Sequence, residues 1–152
     1  MPNEPVLSLV FSQDSKTLAI GSIGVSILEF KDGEWVNPVD RLSGVFWTTG
    51  SDYGPYLGPL IDNFPPQSQF SGGWVPSMTF NTDGRILVTG GVDGQVRLWD
   101  LSSSNSSESM LNRYQAHEGV VRSVVFSHRR QLIVTAGDDM VIRLKSPGSA
   151  CW

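Results

Sequence analysis

Val75-Pro76-Ser77-Met78-Thr79-Phe80 returns as Val121-Arg122-Ser123-Val124-Val125-Phe126, at an offset of 46 (121 − 75). The correspondence then runs without a gap to Leu98 and Leu144. Val75/Val121, Ser77/Ser123, Phe80/Phe126, Val88/Val134, Thr89/Thr135, Gly91/Gly137, Asp93/Asp139, Arg97/Arg143 and Leu98/Leu144 are identical pairs. Average composition yields about one or two such coincidences over a window of this length. A repeat near this period signals one supersecondary unit stacked beside copies of itself. The fold is therefore modular.

Each copy holds three short runs separated by turn signals. In the better copy these are Val75 to Phe80, Arg85 to Gly90 and Gln95 to Asp100, with Asn81-Thr82-Asp83-Gly84 and Val92-Asp93-Gly94 between them. Asp-Gly between β-rich runs is a hairpin signal, and it predicts two central residues with φ > 0. No long segment has a 3.6-residue apolar period, and the runs are too close for crossover helices, so antiparallel meanders are expected. Met110 to Gln115 supplies a fourth run ahead of the next copy.

A weaker copy opens the chain. An offset of 69 (77 − 8) sets Ser8 on Ser77, Phe11 on Phe80, Asp14 on Asp83, Leu18 on Leu87 and Gly21 on Gly90. A two-residue deletion then lays Val25 to Phe30 on Val96 to Leu101. Lys31-Asp32-Gly33-Glu34 is another hairpin signal, leading to a fourth run from Glu34 to Asn37.

Phe80 to Asp100, closing on Trp99-Asp100, resembles a repeat of the WD-repeat β-propeller family. The last copy resembles it too, with Ala116-His117 where the family has Gly-His, but Lys145-Ser146 replaces Trp-Asp. The resemblance implies an all-β fold of four-stranded antiparallel blades, about three in an open arc. The expected units are a degenerate first blade at 1–37, a Gly/Pro/aromatic-rich insertion at 38–73, a second blade at 74–116, and a third at 117–152 without its last strand. In this family a His, a Ser or Thr, the turn Asp and the Trp form a buried network. By position the second unit offers Thr89, Asp93 and Trp99, with Ser71 in the histidine's place. The third offers His117, Thr135 and Asp139, with Lys145 in the tryptophan's place. The first has Ile20 at the Thr position and no turn Asp. Incomplete networks imply less rigid blades.

The bulk numbers narrow the function. The 152 residues suit one domain; they are 39% hydrophobic and 17% charged. Eleven basic against fifteen acidic residues give a net charge of −4, which disfavours a phosphate-tracking surface, so no nucleic-acid partner is expected. No run is long and apolar enough for a membrane span. Met1 to Pro5 lacks the basic and apolar regions of a secretory signal, and Cys151 is the only cysteine, so an intracellular, cytoplasmic location is expected.

His117, Thr135 and Asp139 could be taken for a catalytic set, but Thr is a poor nucleophile there and no oxyanion loop accompanies it. No catalytic, cofactor-binding or metal-ligating residues are expected. Partner-binding candidates fall in two groups. Trp47, Tyr53, Tyr56 and Trp74 lie in or beside the insertion, where aromatic anchors would meet a protein partner or pack back over the first blade. Val92, Gln95, Glu118, Asp138 and Met140 lie on the turns that the resemblance gathers on one rim. The polar tract Ser102 to Ser109 reads as a loop.

Three blades leave two ends open. Each bares a face on the order of 500 Å², or about 12 kcal/mol of forgone burial at 25 cal/mol/Å², comparable with the whole stability of a domain. Either the remaining blades belong to a longer chain, the reading favoured by the unfinished last unit, or copies self-associate. The function expected is a noncatalytic scaffold for protein–protein interaction. The rival readings are a hydrolase using the propeller channel and a truncated piece without a function of its own.

Overall fold

The computed structural model describes residues 6–22, 24–36, 74–102 and 110–147. They form eleven strands in three antiparallel sheets, each a meander in which sequence neighbours pair. The first sheet runs β1 (Ser8–Phe11), β2 (Thr17–Ser22), β3 (Gly24–Lys31) and β4 (Glu34–Val36). The second runs β5 (Ser77–Phe80), β6 (Ile86–Gly90), β7 (Gln95–Asp100) and β8 (Met110–Gln115). The third holds β9 (Val121–Ser127), β10 (Leu132–Gly137) and β11 (Ile142–Lys145).

The register preserves the repeat at the level of single residues. Phe80 faces Leu87 as Phe11 faces Leu18 and Phe126 faces Ile133. Val88 faces Leu98 as Val134 faces Leu144. The turns depart from the sequence expectation. At Lys31-Asp32-Gly33-Glu34 both central residues have positive φ, 52° and 87°, as an Asp-Gly hairpin requires. At Asp83-Gly84 and Asp93-Gly94 only the glycine does, at 71° and 75°. Those loops are longer, and the aspartate instead accepts a backbone N–H two residues on: Arg85 for Asp83 and Gln95 for Asp93. A side chain closing the turn removes the need for a second positive φ.

Pairing fixes which side chains share a face, because directly opposed residues point the same way. Each sheet therefore has a forward face, toward the following sheet, and a backward face, toward the preceding one. Val10, Ala19, Val25 and Ile27 on the forward face of the first sheet form one core with Met78, Phe80, Leu87 and Trp99 on the backward face of the second. Val88, Val96 and Leu98 on the forward face of the second form another with Val124, Phe126 and Ile133 on the backward face of the third. The middle sheet is thus covered on both sides, and Leu87, Val88, Val96 and Trp99 are fully buried.

Gly21 and Gly90 occupy the same repeat position, where the following sheet comes closest. A Cβ on Gly21 would lie 2.7 Å from the Val75 carbonyl oxygen, and one on Gly90 would lie 2.6 Å from Val121 Cγ1. The third sheet carries Ala136 there, on a face that no described residue covers. Gly90→Ala is therefore expected to destabilise the chain by about 1–3 kcal/mol through overpacking, whereas Ala136→Gly costs no more than about 1 kcal/mol. Chemical denaturation of both variants reads the difference.

Candidate functional site

One rim gathers the β6–β7 and β10–β11 turns with the segments that lead into β5 and β9. Backbone hydrogen bonds join them: Val92 N–H to the Trp74 carbonyl, Val121 N–H to that of Gly91, and Asp138 N–H to that of Val120. The Gly94 carbonyl accepts from both Ala116 and His117. Gly94 has no room for a side chain, since a Cβ would sit 2.1 Å from the His117 carbonyl oxygen. The rim is a continuous hydrogen-bonded surface rather than a set of separate loops.

Beneath it lie the buried polar groups. In the third sheet His117 Nδ1 is 2.7 Å from Asp139 Oδ1 and its Nε2 is 2.9 Å from Thr135 Oγ1. Asp139 accepts further from Arg143 Nη1 at 2.7 Å and from the Glu118 and Val141 backbone N–H groups. In the second sheet Trp99 Nε1 donates to Thr89 Oγ1 at 3.0 Å, and Asp93 is gripped by the guanidinium of Arg97 through both carboxylate oxygens. Lys145, at the tryptophan's position, places its ammonium 3.8 Å from the centroid of the Tyr114 ring in the neighbouring sheet. Burial pushes the Tyr114 phenol up to about 12.

His117 and Thr135 are almost wholly buried. A hydroxyl and imidazole closed from solvent beneath the turn can hold the loop but cannot meet a substrate. The pair Arg97/Arg143 is visible in the sequence as an identity, yet its role emerges only from the fold. Each arginine lies four residues beyond its turn aspartate and clamps it. The signal available was a cation repeated at a fixed distance from a repeated carboxylate.

Of the rim candidates, Val92, Gln95 and Asp138 are half-buried, while Glu118 and Met140 are exposed. The Gln95 side-chain oxygen is buried with no hydrogen-bond partner among the described residues, so this residue belongs more to the turn than to the surface. Asp138 is held in a fork by Arg122, at 2.6 and 2.9 Å. Met140 is 97% exposed and has φ 61° where the repeat has Gly94, and Val141 beside it is exposed too. Trp74 is half-buried at the start of the second sheet; Trp47, Tyr53 and Tyr56, the rest of segment 38–73 including Ser71, and Ser103 to Ser109 lie outside the described residues.

Residues 64–100 and 108–144 each match the WD domain, G-beta repeat family model. WD repeat-containing protein 91 of Danio rerio is 40% identical over 60 residues, covering 40% of this chain and 8% of that protein. Ribosome biogenesis protein YTM1 of Saccharomyces cerevisiae is 34% identical over 71 residues, covering 47% and 14%. Protein HIR1 of Candida albicans is 29% identical over 146 residues, covering 93% and 14%. The chain thus spans only about a tenth of the length of these relatives, between 8% and 14%. A chain in the crystal structure of a mitotic checkpoint complex superposes with a TM-score of 0.67 at 15% identity, covering 99% of this chain and 38% of that one, which shows a shared fold.

Two outcomes test the buried groups. Thr89→Val removes the Thr89 Oγ1 acceptor of the Trp99 N–H and is expected to cost about 1–3 kcal/mol, and adding Trp99→Phe costs less than the sum of the two single changes; a double-mutant cycle in urea measures this. Burial raises the Asp139 carboxyl, but hydrogen bonds from His117, Arg143, Val141 and Glu118 outweigh it and hold the group well below the usual carboxylate range. A depressed folded value contributes stability that is fully present above the unfolded value of about 3.9 and is lost as pH falls through the folded one. Melting temperature therefore drops more steeply below about pH 4 in the native chain than in Asp139→Asn.

Proposed function

Because the chain belongs to the WD-repeat family, we propose that it is a noncatalytic scaffold that docks a protein partner on the rim of its sheets. Met140 supports this reading best. A non-glycine residue in the left-handed region costs about 1 kcal/mol, and here the residue is also apolar and almost fully in water. Folding gains nothing from that side chain, whereas docking gains an unbranched, adaptable apolar probe on a rigid turn. Val141 extends the apolar spot, and Glu118 with the Arg122–Asp138 pair supplies a charged border. An apolar centre within a polar rim is the usual anatomy of a protein interface. The relatives include a ribosome biogenesis protein, and the structural neighbour is part of a multiprotein complex, both compatible with docking rather than chemistry.

The decisive substitution is Met140→Gly, which restores the residue of the sister turn. It is expected to leave stability within about 1 kcal/mol of native while weakening partner capture about tenfold or more. Affinity capture with the native chain, Met140→Gly and Glu118→Ala, each checked by thermal melt, separates the two effects. Equal capture by all three removes the rim from the interaction.

A further inference from the structure

The chain holds three Asp-Gly pairs: Asp32-Gly33, Asp83-Gly84 and Asp93-Gly94. In such a pair the glycine backbone nitrogen can attack the aspartate carboxyl carbon, because a five-membered ring results and glycine has no side chain to hinder it. The fold decides whether the attack is open. It requires a glycine N–H that is not committed to a carbonyl, a carboxyl group free to turn toward it, and room for the ring.

The turns of the second sheet withhold all three. Gly84 N–H donates to the Asn81 carbonyl at 3.1 Å, and Gly94 N–H to the Gly91 carbonyl at 3.3 Å. The Asp83 carboxylate accepts from the Arg85 backbone N–H at 2.9 Å. That of Asp93 accepts from the Gln95 backbone N–H at 3.1 Å and from the Arg97 guanidinium. A Cβ on Gly84 would lie 3.2 Å from Ser12 Cβ, and one on Gly94 would lie 2.1 Å from the His117 carbonyl oxygen.

Asp32-Gly33 differs at each point. Both residues are exposed. Among the described residues the Gly33 N–H donates to no carbonyl, and the Asp32 carboxylate has neither a hydrogen bond nor an ion pair. A Cβ on Gly33 would meet nothing within 4 Å. The cause is loop length. Lys31 pairs directly with Glu34, so the two residues between them turn on positive φ alone and leave their polar groups to water.

We propose that Asp32 is a site of spontaneous covalent modification, isomerising through a cyclic imide to isoaspartate. The Gly33 nitrogen bonds to Cγ of the neutral Asp32 carboxyl group, whose hydroxyl departs as water with the amide proton. One water then reopens the ring. Attack at Cγ restores aspartate, whereas attack at the main-chain carbonyl carbon leaves the chain running through Cβ. Water is lost and regained, so the step requires no oxidant, cofactor or enzyme. The isoaspartyl form adds one carbon to the backbone of a two-residue loop. Loop length sets hairpin register, so the pairing of Phe30 with Trp35 and of Glu29 with Val36 loses its alignment. The result is a slow loosening confined to β4, independent of partner docking.

Peptide mapping tests this on the purified chain aged at physiological temperature in heavy-oxygen water, with isoaspartate located by electron-based fragmentation. IsoAsp is expected at position 32 about tenfold or more faster than at Asp83 or Asp93, since each of those must first give up a hydrogen bond to its carboxylate. Each isomerised peptide should carry one heavy oxygen from the ring opening. In urea the three sites should react at similar rates, which assigns the selectivity to the fold. Asp32→Glu keeps the charge but needs a larger ring, and should stay unmodified with unchanged circular dichroism. Equal rates at the three sites in the folded chain overturn the proposal, as does faster reaction at Asp83 or Asp93. So does an absence of isoaspartate at Asp32, or an isomer without heavy oxygen.

Discussion

The packing of one sheet's forward face on the next sheet's backward face is the contact on which the whole structure depends. A single four-stranded meander has two apolar faces and nothing of its own to cover them. Among the described residues only the middle sheet is covered on both sides, and its strands β6 and β7 are the most uniformly buried of the described strands. Gly21 and Gly90 keep those covers close by offering no side chain where the following strand passes. The other two sheets copy the same residue pattern, each with one face that no described residue covers, and many of their large apolar residues are exposed.

The buried polar groups serve that packing. Each turn aspartate is a point where the rim is tied to the strands below. In the third sheet His117, Arg143 and backbone N–H groups converge on Asp139. In the second sheet the arginine clamp ties the Asp93 turn to β7, and the Trp99–Thr89 bond ties β7 to β6. The two sheets reach a fixed turn by different combinations of the same residue types. That tolerance explains how Lys145 can stand in a tryptophan's place: its stem is buried along the sheet and its ammonium finds an aromatic face.

A fixed rim is what allows Met140 to be both strained and exposed. Its turn is closed by the Met140 N–H to the Gly137 carbonyl and by the Asp139 carboxylate on the Val141 N–H, so backbone geometry does not depend on the side chain. Whatever the side chain touches, it touches from a stationary base. Gly94, at the matching position, is walled in by His117 and Gly119. The same turn is closed in at Gly94 by the segment leading into the next sheet, while at Met140 no described residue covers it.

The residues alone determined the modular all-β fold, because a repeat of Phe, Thr, Gly, Asp and Leu at constant spacing admits one stacked unit, and alternation along each strand assigns every side chain to a face. The resemblance to the WD-repeat family added Thr89, Asp93 and Trp99, and His117 with Thr135 and Asp139, as network residues. The residues alone did not disclose that Arg97 and Arg143 clamp the turn aspartates, since a cation four residues past a carboxylate meets it only if the hairpin folds back at that radius. Nor did they show that Asp83 and Asp93 close their turns by side chain instead of by a second positive φ, because loop length decides between the two. Which rim residues meet water was settled by tertiary structure alone: Gln95 is drawn into its turn and Met140 is left outside. Exposure belongs to what a neighbouring sheet covers, and the covering sheet is not encoded in the turn itself.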